Sequence, residues 1–173
     1  MNNASFEIII AVIGATVGAL LGSLSSILFG LMASRRQERR DLVIQLYQEY
    51  NSPEMNQSRI LASEFFEHRP AGKGYGEYST AFSNPDISQV AGVTREQFEA
   101  FRNLSVFFEK VYVYKANRYL NKKLAASMLG IYLCGWARNG WLDFLKDSGA
   151  ETKEYFSYRQ QHFLELYEWF NCE

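Results

Sequence analysis

Histidine is scarce in this chain. His68 and His162 are the only two, and neither stands in HExxH or another metal-ligand spacing, so zinc chemistry has no support. No dinucleotide fingerprint, nucleophile elbow or GxxxxGK(S/T) run occurs either. Lys73-Gly74-Tyr75-Gly76 has the look of a phosphate cradle, but no strand precedes it and no GK(S/T) ends it. Cysteine is limited to Cys134 and Cys172, without ligand-like spacing, and reduced thiols in a cytosol fit that usage better than a disulfide scaffold. No catalytic residue, metal or cofactor is expected. Charge is nearly balanced, with 18 Lys and Arg against 19 Asp and Glu, so net charge implies no particular partner.

Charge is wholly missing from Ile8 to Ala33. As a helix this stretch would run roughly 39 Å, more than the ~30 Å hydrocarbon slab requires, and it reads as a membrane span. Gly14, Gly18, Gly22, Ser26 and Gly30 recur at every fourth position and leave one helix face almost bare, with Ala11, Ala15 and Ala19 widening the groove. Small-xxx-small faces are how helices pack closely in lipid, and no second span is present to meet this one. The expected partner is another copy of the chain.

Arg35, Arg36, Arg39 and Arg40 follow the span at once, whereas the leader MNNASFE carries only Glu7. The positive-inside bias then places the N-terminus outside and the rest in the cytoplasm, and the same arginines suit anionic headgroups. A cleaved signal peptide would need a basic leader and a shorter apolar core. In an assembly Glu7 would form a ring of carboxylates at the outer pore mouth, or simply stabilise the first helical turn.

The expected fold is all-α: a transmembrane segment over 1–34, a stalk helix over 35–50 and a cytosolic helical bundle over 51–173. Val43, Leu46, Tyr47 and Tyr50 keep helical spacing through the stalk. Ser52-Pro53-Glu54 starts a helix that Pro70 and Gly72 end near Arg69. Residues 70–93, rich in Gly and Pro, read as one long loop. Thr94 and Gln97 form a capping box, with Val93 placed to staple onto Phe98, and open a helix to about Leu120. A third helix covers Lys122 to Lys146, with Gly130, Gly135 and Gly140 as points of interruption. Ser148-x-x-Glu151 opens a last one to about Asn171, with Phe156, Phe163, Leu166 and Phe170 on its buried side.

One seam asks for a ligand. Phe101, Leu104, Phe108 and Val111 share a face with Lys115, Arg118 and Lys122, while Lys110, Tyr114, Tyr119 and Lys123 lie close by. Cations hold phosphate and aromatic rings stack on bases, so an anionic, stackable partner such as a nucleotide or short single strand fits this surface. The acidic terminal helix offers the competing explanation of pairing inside the bundle.

The span, its basic stop and LYQEYNSPEMNQSRILASEFF resemble uncharacterised bacterial one-span proteins with a helical cytosolic domain. The architecture is also similar to membrane effectors of anti-phage systems such as Hailong. That resemblance implies a homo-oligomeric channel, not an enzyme, that depolarises an infected cell. It further implies control by an oligonucleotide made by a partner nucleotidyltransferase. The alternative is a membrane-tethered adaptor that binds a cytosolic protein without conducting ions.

Overall fold

The computed structural model describes residues 3–70, 72–141, 144 and 153–172, the side chains of 3–13, 153–157 and 159 excepted. The regular structure among its described residues is helical apart from one very short hairpin, as the sequence implies. They divide into two units, one ending at Arg39 and one beginning at Arg40.

Helix α1, Asn3–Tyr50, runs unbroken through the glycine ladder and the arginines. Every described side chain of the first unit is exposed. Ser23 Oγ donates to the carbonyls of Ala19 (2.8 Å) and Leu20 (3.0 Å), and Ser26 Oγ to that of Gly22 (3.0 Å). Hydroxyls satisfied within their own helix are what an apolar solvent demands. This helix is long and apolar enough to cross a membrane.

The 35–50 stalk is not a free rod throughout, because Val43, Leu46 and Tyr50 are buried in the core of the second unit. Asn51 and Ser52 end α1, with Asn51 N–H bonding Tyr47 O at 3.1 Å. Ser52 Oγ then accepts from Met55 N–H and caps α2, Pro53–His68, with Pro53 in the first turn as its fixed φ favours.

The expected long loop contains a helix, α3, Tyr75–Phe82, and an antiparallel pair, β1 Gln89–Val90 with β2 Val93–Thr94. Eight residues are too few to hold a helix alone. Packing makes this one: Tyr75, Tyr78 and Phe82, spaced three and four apart, set their rings 5.2, 6.0 and 5.4 Å from that of Phe98. Ala91 and Gly92 both take positive φ (50° and 86°), the pair of left-handed residues that a tight hairpin turn requires. Arg95 pins the intervening chain, donating to the carbonyls of Phe82 (2.7 Å), Asn84 and Ile87 (2.7 Å).

Helix α4, Arg95–Ala116, begins with the anticipated capping box: Gln97 N–H donates to Thr94 Oγ1 and Thr94 N–H to Gln97 Oε1. It ends four residues short of Leu120. Arg118 adopts φ 58°, Arg118 N–H bonds Lys115 O (3.0 Å) and Tyr119 N–H bonds Tyr114 O (2.9 Å). This is a Schellman cap with arginine where glycine is usual. Asn121 Oδ1 accepts from Leu124 N–H and starts the next helix, so two polar caps close together defeat the continuous reading.

From there α5, Lys122–Ala125, passes through a π turn, Ala126–Gly130, into α6, Ile131–Trp136, and a second π turn, Ala137–Trp141. Of the three glycines weighed as breaks, only Gly140 leaves helical geometry (φ 84°). Gly130 serves packing instead: a Cβ there would stand 3.3 Å from Phe170 Cδ1. The expected run to Lys146 and the Ser148–Glu151 box extend into 142–143 and 145–152, outside the described residues, as is the Phe156 side chain. Helix α7, Lys153–Phe170, buries Phe163, Leu166 and Phe170 as its spacing implies.

The reading of reduced thiols is corrected. Cys134 and Cys172 form a disulfide with Cα atoms 5.2 Å apart, across 38 residues of sequence. Asn171 at φ 56° lets Cys172 N–H bond Tyr167 O (3.1 Å), and this second Schellman cap turns Cys172 into the core. Sequence spacing carries no trace of that encounter. Closing a loop of this length constrains the unfolded chain by about 4 kcal/mol in the entropic account. We therefore expect Cys172→Ser to lower the thermal midpoint clearly and the oxidised parent to migrate faster on a non-reducing gel. Identical migration with and without reductant would refute the bond.

Candidate basic surface and membrane helix

Of the seven cationic and tyrosine residues expected to hold an anion, two are engaged within the fold. Lys110 Nζ lies 2.6 Å from Glu49 Oε2, and Lys115 Nζ lies 2.8 Å from Glu165 Oε2. The first pair is exposed on both sides and contributes little to stability. The second is more sheltered, and Lys115 also stands over the Tyr112 ring at 5.0 Å. Lys115 donates to Glu165 and holds that carboxyl below its ordinary pKa. The acidic terminal helix thus does take up part of the basic charge.

The seam itself is shorter than its spacing suggests. Phe101, Leu104, Phe108 and Val111 are buried along α4, but Arg118 lies beyond the helix end and Lys122 begins α5. Arg118, Tyr119, Lys122 and Lys123 are instead exposed together on the turn between α4 and α5. Among the described residues no ion pair holds any of the three cations. Lys110 and half-buried Tyr114 lie elsewhere, lining an open groove of about 320 Å³ with Leu42, Gln45, Leu46 and Glu49. The expected single site is therefore two: a charge-paired groove and a bare basic tip.

Other cations are spent on aromatic faces. Arg59 sits 4.8 Å from the Tyr50 ring centre, and Arg69 sits 4.9 Å from that of Phe144 while donating to Gly140 O at 3.4 Å. Nothing in their sequence positions marks these roles. The cavity beside Trp141, Phe108 and His162 measures about 20 Å³, room for a water and far too small for a nucleotide. Among the described residues no three metal-ligating side chains cluster.

On α1, a Cβ added at Gly14, Gly18, Gly22 or Gly30 would meet nothing within 4 Å, so the ladder face is bare within its own unit. Ser26 continues this row with its hydroxyl turned to Gly22 O. Glu7, the expected pore-mouth residue, lies in α1 with its side chain outside the described residues.

His162 is buried, stacked on Tyr112 at 3.7 Å and edge-on to Tyr158 at 3.9 Å. Burial, aided by the Lys115 charge and opposed by Glu165, pushes its pKa below the ordinary imidazole value. The folded protein therefore binds fewer protons here than the unfolded chain as pH falls through 6.5, and stability drops in that direction. Glu165, also depressed, adds a loss at lower pH, below the ordinary carboxyl range. We expect the thermal midpoint to fall between pH 7 and pH 5 and the fall to shrink in His162→Gln. A slope unchanged by that substitution would assign the dependence to other groups. No family model matches the chain, and neither the curated proteins nor the solved structures contain a match.

Proposed function

We propose that this chain is a homo-oligomeric membrane effector, not an enzyme. Its α1 spans the bilayer and its helical unit answers an anionic partner, a nucleotide or oligonucleotide on the sequence reading. The observation that carries this proposal is the uncovered glycine face of α1. In lipid a bare small-residue face gains close packing only from another helix, and a second copy is the partner always at hand. Clustered spans then enclose a conduit, with Glu7 at its outer mouth. Arg35, Arg36, Arg39 and Arg40 orient the chain with the helical unit in the cytoplasm of a bacterial inner membrane. Cys134–Cys172 favours the opposite, oxidising side, and protease access from each face of sealed vesicles decides between them.

A second reading, a membrane-tethered adaptor, draws support from the inward hydrogen bonds of Ser23 and Ser26, which leave little polarity to line water. Conductance of the purified chain in planar bilayers separates the two: currents support the effector, and their absence at confirmed insertion supports the adaptor. Gly18→Leu with Gly22→Leu should hold neighbouring spans apart by several ångströms and reduce cross-linked oligomer in membranes severalfold. Undiminished oligomer in this variant would place the assembly contact elsewhere.

A further inference from the structure

The basic tip between α4 and α5 has the chemistry of a phosphate site, and its position in the second unit selects among phosphates. Helix α4 runs antiparallel to the end of α1. The Tyr50 ring meets that of Phe107 at 5.3 Å, Glu49 pairs with Lys110, and Leu42 and Leu46 face Tyr114 across one groove. Continuing this register by one turn brings Arg118 to the level of Arg40, where the chain enters the unit. Tyr132 gives the same answer from the other side. It packs on Tyr47 at 6.4 Å and Tyr50 at 4.4 Å, so Lys122 and Lys123, ten or so residues back along α5 and α6, return to that level.

Arg40 lies seven residues from Ala33, the last apolar residue of the span. Those residues reach at most about 25 Å fully extended and about 10 Å as helix. The tether alone therefore keeps Arg40 within about 25 Å of the end of the span. Residues 117–123, Asn-Arg-Tyr-Leu-Asn-Lys-Lys, hold no acid, and Arg35, Arg36, Arg39 and Arg40 lead into the same end; Glu38 and Asp41 are the acids among them. Tyr119, 56 % exposed, is an aromatic of the kind that settles at headgroup level.

We propose that Arg118, Lys122 and Lys123 bind the anionic headgroups of the bilayer that α1 crosses, with Tyr119 inserted among them, so that the helical unit is docked on the membrane at a second point. The inference rests on α1 being a span and assigns the anion of the tip to lipid rather than to a soluble nucleotide. Each cation near an anionic leaflet strengthens contact about fivefold. A unit held at both Arg40 and the tip is restricted in how it can turn relative to its span.

The test uses the full chain in nanodiscs, with p-benzoylphenylalanine in place of Tyr119. In discs with about one-third phosphatidylglycerol, photolysis should give lipid adducts that fall about tenfold or more in pure phosphatidylcholine. They should fall equally in the triple variant Arg118→Gln, Lys122→Gln, Lys123→Gln. The same probe in place of exposed Glu96, at the far end of α4 some ~30 Å away, should give none. Equal yields in the two lipids would overturn the proposal. So would label passing to an added oligodeoxynucleotide instead of lipid. Failure of the chain to enter nanodiscs would remove the span and the docking together, whereas entry without adducts removes docking alone.

Discussion

The structure of the second unit depends on burying the last turns of α1. Val43, Leu46 and Tyr50 are at most 1 % exposed, although they continue a helix whose described side chains in the first unit are all exposed. Tyr50 is the centre of that attachment. Its ring meets Phe107, Phe108 and Tyr132, its hydroxyl accepts from Trp136 Nε1 at 2.9 Å, and Arg59 covers it. Burial raises its pKa, so the phenol stays neutral and keeps the proton on its oxygen. These contacts attach the end of α1 to both α4 and α6.

Aromatic packing extends from that point through the whole unit. Phe65 stacks on Phe101 at 5.4 Å and meets Tyr78 and Phe144 edge-on at 5.4 and 5.1 Å, joining α2, α3 and α4 to the segment after Gly140. Offset and edge-on rings contribute about 0.5–1.5 kcal/mol per pair beyond area burial, and their shape constrains how helices meet. That constraint explains why α3 exists at all: in a Gly-rich segment without helical period, Tyr75, Tyr78 and Phe82 become helical by docking.

Electrostatics divides along the same lines. Cations that face the bundle are consumed by it, Lys115 by Glu165 and Tyr112, Arg95 by three carbonyls, Arg59 and Arg69 by rings. Those at and beyond the Schellman cap, Arg118, Lys122 and Lys123, are exposed and make no ion pair among the described residues. A chain reversal of two residues therefore separates structural from available charge.

Much was determined by sequence alone. Periodicity gave the helical class, and the Ser52 and Thr94 caps appear where their side chains signal them, because capping is a local event within three residues. The absence of charge from Ile8 to Ala33 identified the helix able to cross a membrane, since length and apolarity are themselves local sums. The basic surface expected to take an anion was only partly legible. Its spacing ran Lys110 and Lys115 together with Arg118, Lys122 and Lys123, because a period of 3.6 cannot register that Arg118 turns left-handed and ends the helix. Which lysines are neutralised depended on α7 and α1 arriving beside α4, contacts between residues 50 and 61 apart in sequence. The Cys134–Cys172 bond and helix α3 were likewise decided only by tertiary structure, because each is a meeting of segments whose own residues carry no record of it.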